Sequence, residues 1–324
     1  MKRLLSLAAL ALPLPAIAQG TDDPVTPSSV VAAAEAGEWI TIPPEDLLVM
    51  ELAPDARGNA RTVVIQLMPP PLSQPWVENV RTLAEAQWWD GASVYRVQDN
   101  YVAQWGDATE QKPLPEGVAS AREDYVQVNA SIIPVDTEAE WSFGDKLNNP
   151  AMIDGTVMLQ GDRPSQYDTF WKGWPTAGML RPHDSLNWPI HCYGHIGVAR
   201  DYAPDTGTGA ELYAIIGQPP RHMDRNLAVV GRVIEGMEHL SSLPRGSGEL
   251  GFYTEDEADL RTPILSVRLA SEMAEPPAFE YLDTGSESFA RYVAVRANRD
   301  DAFYTVPAGG VDVCSVQVPV RQAE

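Results

Sequence analysis

The residues of this 324-residue chain best suited to metal or nucleophile chemistry are its five histidines and two cysteines. His191, Cys192 and His195 stand close together, with His183 upstream, and such atoms could bind zinc if the backbone gathered them. Their spacing matches no common zinc signature, and the plainer reading is side chains on a strand and the loop before it. No G-x-x-x-x-G-K-[ST] loop is present to cradle phosphate, and Gly207 and Gly209 begin a G-x-G with no third glycine after it. Neither G-x-S-x-G nor H-E-x-x-H occurs. No metal and no cofactor is expected. Cys192 and Cys314 leave two alternatives: a disulfide tying the C-terminal tail to the main domain, or two buried thiols packed as small hydrophobes.

The elements that must position any site follow from composition and pattern. The formal charge is −22, which argues against a nucleic-acid partner, since phosphate binding needs a basic surface. Hydrophobic residues make up 44% of the chain, enough for a sizeable core. Pro 28 and Gly 24 indicate many turns, as in a β-rich protein. Lys2 and Arg3, the apolar run Leu4 to Leu14 and the small-x-small site Ala16-Ile17-Ala18 form the three-part pattern of a secretory signal peptide over residues 1–18. Cleavage after Ala18 takes the charge to −24, because Lys2 and Arg3 leave and no acid does. No other stretch approaches 18 apolar residues, so no membrane span is expected. The mature protein is expected in the periplasm or outside the cell.

Residues 19–44 are small, polar and Pro-rich, and read as a flexible leader. Leu47 to Leu52 and Arg61 to Met68 read as a hairpin, the second strand alternating Val63, Ile65 and Leu67 against Thr62, Val64 and Gln66. A helix follows over 75–87, with Ser73 as its cap and Pro75 in its first turn. Ala92 to Val97 is a further strand. Residues 108–190 have weak periodicity and read as a long insertion. Strands return at Gly194 to Arg200, Glu211 to Ile216, Leu227 to Val233 and Ile264 to Leu269, with a short helix over 235–243. The tail, 274–324, carries strand-like pieces at Tyr292 to Arg296 and Val313 to Val320. Many short strands with two clear helices point to an antiparallel barrel or sandwich.

Two stretches add a more specific signal. In Trp89-Asp90-Gly91-Ala92-Ser93-Val94-Tyr95-Arg96, a D-G turn leads to a strand ending in arginine. Tyr101, Gln104 and Asp107 then follow Arg96 at intervals of five, three and three. This resembles the cyclophilin run F-H-R, aromatic, Q-G-G-D. Gly197 to Arg200, Ala210 to Ile215, His222 to Arg225 and Val229 to Met237 are similar to the blocks G-x-x-x-M-A-R, S-Q-F-F-I, W/H-L-D-G and V-F-G-x-V-x-x-G-M, in the same order. The resemblance covers roughly 45–110 and 192–272. It implies a mainly β fold, a closed eight-stranded antiparallel barrel with a helix over each end. The barrel would span 45–273, enlarged by the insertion and by the C-terminal extension, 274–324.

The implied activity is peptidyl-prolyl cis–trans isomerisation of proline-containing polypeptides, in the folding of exported proteins. An X–Pro bond turns over a barrier of about 18–20 kcal/mol because amide resonance must be broken. A catalyst needs neither nucleophile nor metal, only tighter binding of the twisted amide than of either planar form. By resemblance Arg96 donates to the prolyl nitrogen, which regains its lone pair in that state, and Gln104 fixes the substrate carbonyl or orients Arg96. Tyr101, Val102, Tyr213 and Met223 would form the apolar pocket for the proline ring. The chain departs from the family pattern at several positions. Tyr213 replaces a phenylalanine, His222 a tryptophan and Ala210-Glu211 the S-Q pair. Leu227 replaces the family's active-site histidine, and Trp105 replaces a glycine, where it is expected to crowd the groove. Reduced or shifted activity is therefore expected. The alternative is a weakly active or inactive cyclophilin-like module that binds extended chains.

Overall fold

The computed structural model describes residues 25–109, 111–122, 125–128, 151–153, 156–159, 165–180 and 184–323. The expected signal peptide and His183 lie outside the described residues.

The chain begins with α1 (Pro27–Ala32) and β1 (Trp39–Thr41). It continues through β2 (Leu47–Leu52), β3 (Arg61–Leu67), α2 (Gln74–Glu85), β4 (Ser93–Val97) and β5 (Val102–Gly106). Then come β6 (Gln127–Val128), β7 (Ala151–Ile153), β8 (Thr156–Leu159), β9 (Tyr167–Trp171), β10 (Trp174–Leu180) and β11 (Ser185–Pro189). After these stand β12 (His195–Val198), β13 (Leu212–Ile215), β14 (Val229–Glu235), α3 (Glu238–Ser241) and β15 (Thr262–Leu269). The chain ends with β16 (Phe279–Leu282), α4 (Glu287–Ala297) and β17 (Val320–Gln322).

Eight strands close a barrel in the order β12-β13-β5-β4-β15-β2-β3-β14, every pairing antiparallel. Alternation decides which side chains fill it. From β2, Leu48, Met50 and Leu52 point into the barrel core, while Leu47 and Val49 join a second core on its outside. Trp76, Val77, Val80 and Leu83 of α2 recur at helical spacing and close one end. Ser73 stands at the N-cap position of this helix, as expected, but takes a left-handed backbone (φ 54°) and makes no side-chain cap bond. No helix among the described residues is long and apolar enough to cross a membrane.

The insertion is a second sheet, in the order β6-β11-β10-β9-β8-β7. Its central strands are buried on both faces, so they show no period-2 pattern. Lys172 and Gly173 both have positive φ, as a two-residue hairpin turn between β9 and β10 requires. Phe170 and Trp188 of this sheet pack into the second core with Val30 and Trp39 from the N-terminal segment and Phe289 from the tail.

Two expectations are corrected here. The stretch expected as a flexible leader is structured from Thr26 onward, because Val30, Trp39 and Ile42 are buried and β1 pairs with β16. The piece Tyr292 to Arg296, expected as a strand, lies inside α4. Its buried residues Phe289, Tyr292, Val293 and Ala297 follow helical spacing, and Ser286 caps its start by accepting from the Phe289 N–H. Cys192 and Cys314 are joined by a disulfide that holds the tail against the segment entering β12.

Candidate active site

Arg96, Gln104 and Tyr213 lie in one row across β4, β5 and β13. Gln104 is the register partner of Arg96 on one side and of Tyr213 on the other. Alternation places them outward. On β5, Val102 and Gln104 face the groove while Ala103 and Trp105 enter the core; on β13, Tyr213 and Ile215 face the groove while Leu212 and Ala214 enter the core. Trp105 therefore does not crowd the groove, because its ring is buried inside the barrel. A register shift between Val94 and Arg96 marks a bulge on β4, and Tyr95 and Arg96 both reach the groove side through their hydrogen bonds to Gln104.

Arg96 donates from Nη1 to Gln104 Oε1, from Nη2 to Gln98 Oε1 and from Nε to the Leu250 carbonyl, each at 2.8 Å. Its guanidinium lies 5.1 Å from the centre of the Phe252 ring. A guanidinium carries five N–H groups, so among the described residues one remains on each terminal nitrogen. Burial lowers the Arg96 pKa from its ordinary value by disfavouring the charged form. Gln104 is itself oriented: its Nε2 donates to the Tyr95 hydroxyl at 2.6 Å, and that hydroxyl donates to Glu211 Oε2 at 2.5 Å. Glu211 Oε1 accepts from the Asp107 N–H at 2.8 Å. Gly106 gives this carboxylate its room, since a Cβ there would overlap it. Tyr95, Glu211 and Phe252 join the site with little signal in the sequence. Glu211 stands out only as a departure from S-Q, and Phe252 lies in a loop outside the family blocks.

The residues expected to hold the proline ring come together. Val102, Tyr213, Ile215 and Met223 form one small apolar cluster outside the barrel core, with Tyr101 and Leu227 packed against it. The Tyr101 hydroxyl lies 3.0 Å from Met223 Sδ. His222 stacks on the Tyr101 ring at 6.3 Å and 9° between planes. The Tyr213 hydroxyl finds its partner in His191 Nε2 at 3.1 Å, and burial pushes its pKa well above the ordinary value. His191 Nδ1 lies 2.9 Å from Asp224 Oδ1, and His195 Nδ1 lies 2.6 Å from the Ile190 carbonyl.

Residues 60–268 match the family described as "Cyclophilin type peptidyl-prolyl cis-trans isomerase/CLD". The fold is similar to the crystal structure of cyclophilin AquaCyp293 from Hirschia baltica, with a TM-score of 0.61 and 19% identity over 93% of this chain and 99% of that one. A cyclophilin type peptidyl-prolyl cis-trans isomerase from Cryptosporidium parvum aligns with a TM-score of 0.37 and 10% identity, over 69% of this chain and 96% of that one. No curated protein matches the chain. With a family match over most of its length, a closed eight-stranded barrel and an arginine–glutamine pair beside an apolar groove, the chain belongs to the cyclophilin-type peptidyl-prolyl cis–trans isomerases.

Proposed function

We propose that Arg96 is the residue that lowers the rotation barrier, acting on proline-containing chains laid along the groove. The proline ring sits against Val102, Tyr213 and Met223, which exclude water from it. As the amide twists, the prolyl nitrogen regains its lone pair, and a remaining Arg96 N–H donates to it. Such a charge-assisted bond is worth about 1.5–3 kcal/mol, realised only in the twisted state. Gln104 holds the guanidinium in place and Phe252 covers its face. Leu227 offers no polar group where the family's histidine stands, so the catalytic weight falls on Arg96.

The observation that carries this reading is the Arg96–Gln104 pair at the edge of the apolar cluster. Exchange spectroscopy on a short Ala-Pro peptide tests it. Wild-type protein accelerates cis–trans exchange well above buffer, and Arg96→Ala loses most of that gain. Equal catalysis by the two proteins would remove Arg96 from the mechanism. Peptide broadening without faster exchange would favour a binding module.

The clients we propose are exported proteins folding in the periplasm or outside the cell. The pattern in residues 1–18 supports this, as does the Cys192–Cys314 disulfide, which suits an oxidising compartment. N-terminal sequencing of protein from a periplasmic fraction should begin at Gln19; an uncleaved cytosolic protein would overturn this assignment.

A further inference from the structure

The Tyr213 hydroxyl, absent from the phenylalanine of the family pattern, is bonded behind the groove to His191 Nε2 at 3.1 Å. His191 is fully buried in the segment that joins β11 to β12, one residue before the disulfide. Its Nδ1 lies 2.9 Å from Asp224 Oδ1, and its backbone N–H donates to the same oxygen at 3.0 Å. A carboxylate only accepts, so Nδ1 carries a proton, and in the neutral imidazole Nε2 then holds the lone pair. In that form the Tyr213 phenol donates to Nε2. The other oxygen of Asp224 accepts from Arg221 Nε at 2.6 Å, and Arg221 Nη2 lies 3.4 Å from Asp168 on β9 of the insertion sheet.

Asp224 directly follows the turn Arg221–Met223, which carries His222 and Met223 to the groove. One buried carboxylate thus fixes the groove floor through His191 and the groove rim through the backbone. Gly197, the register partner of Tyr213 on β12, supplies the space, since a Cβ there would overlap the end of the Tyr213 ring. The pairing has the form of a side chain that orients another side chain, which in turn shapes the binding surface.

We propose that His191 and Asp224 are positioning residues for the isomerase groove, holding the Tyr213 ring and the Met223 turn at the separation that grips a prolyl ring. The proposal rests on the reading of that groove as the proline site. A gripped ring is held equally in the planar and twisted states, so loss of the pair weakens binding and leaves the chemical step alone.

The test is a double-mutant cycle between Tyr213→Phe and His191→Gln in the Ala-Pro exchange assay, with a histidine-nitrogen NMR spectrum of wild type and Tyr213→Phe. Wild-type turnover is measured first; without it the groove reading fails and this proposal with it. With it, each single variant raises KM about threefold to tenfold with kcat within about twofold, and the double variant is no worse than His191→Gln alone. Additive KM effects, or a fall in kcat at constant KM, overturn the proposal. Should His191→Gln not fold, the spectrum decides: the His191 Nε2 signal is that of an unprotonated nitrogen and moves in Tyr213→Phe. A protonated Nε2, or a signal that does not move, overturns it.

Discussion

Gln104 stands opposite Arg96 across the β4–β5 ladder and accepts from its Nη1 at 2.8 Å, while its own amide nitrogen donates to Tyr95. The amide can satisfy both partners in only one orientation, so the guanidinium is held from below by a group that cannot turn over without losing two bonds. Glu211 extends the chain by accepting from Tyr95.

Gln104→Leu tests this chain. The variant keeps side-chain size but removes the acceptor for Arg96 and the donor to Tyr95. A hydrogen bond to a charged group is worth about 1.5–3 kcal/mol, so kcat/KM should fall roughly tenfold to a hundredfold. Thermal unfolding should still be cooperative. Unchanged kcat/KM would show that Arg96 is held sufficiently by Gln98 and the Leu250 carbonyl.

Gly106→Ala probes the same chain from its far end. The added methyl overlaps the Glu211 carboxylate, which must then leave Tyr95 or the Asp107 N–H. Overpacking of this kind costs about 1–3 kcal/mol, and activity should fall together with the melting temperature. A stable, fully active variant would mean that the Glu211–Tyr95 bond is dispensable.

Cys314→Ser removes the bond between the tail and the segment leading to β12. The two cysteines are 122 residues apart, a long loop to leave unclosed in the unfolded chain. Loss of such a bridge typically costs about 2–5 kcal/mol, read as a lower unfolding midpoint in denaturant. A midpoint equal to wild type would show that the buried contacts of α4 and β16 hold the tail unaided.

Acid should weaken the fold through His195. Burial is the largest cause of its depressed pKa, which drops to about 3, against an ordinary value of 6.5. Between those values the unfolded chain binds a proton that the folded chain refuses, so stability rises with pH there and falls as pH drops from 6.5 toward 3. The slope from this one group reaches about 1.4 kcal/mol per pH unit. His195→Gln should flatten that part of the stability curve. The same slope in the variant would assign the acid sensitivity elsewhere.

Much of the barrel was legible because its strands alternate: Val63, Ile65 and Leu67 recur with period two and fill the barrel core, although Val64 and Gln66 between them are buried as well, on the outer face. Arg96, Gln104 and the groove residues were legible through family spacing, and their placement follows from the same alternation. The insertion was not legible, since β9 and β10 are covered on both faces and lose the period that marks a strand. Within α4, Tyr292 to Val295 is an apolar run with two β-branched residues that reads as strand and masks the helical spacing that runs from Phe289 to Ala297. Asp224 and His191 were hidden for another reason. They are 33 residues apart, and only the closed fold brings the carboxylate to the imidazole.

The most direct test of the account is the partition of kcat and KM in Arg96→Ala and Arg96→Lys on an Ala-Pro peptide. An interaction made only with the twisted amide predicts a fall in kcat of roughly tenfold or more in Arg96→Ala with KM nearly unchanged. Lysine, which keeps the charge but lacks the fork that holds Gln104 and Gln98 together, should recover only part of it. A rise in KM at constant kcat in Arg96→Ala would contradict the account, because Arg96 would then bind substrate without stabilising its rotation.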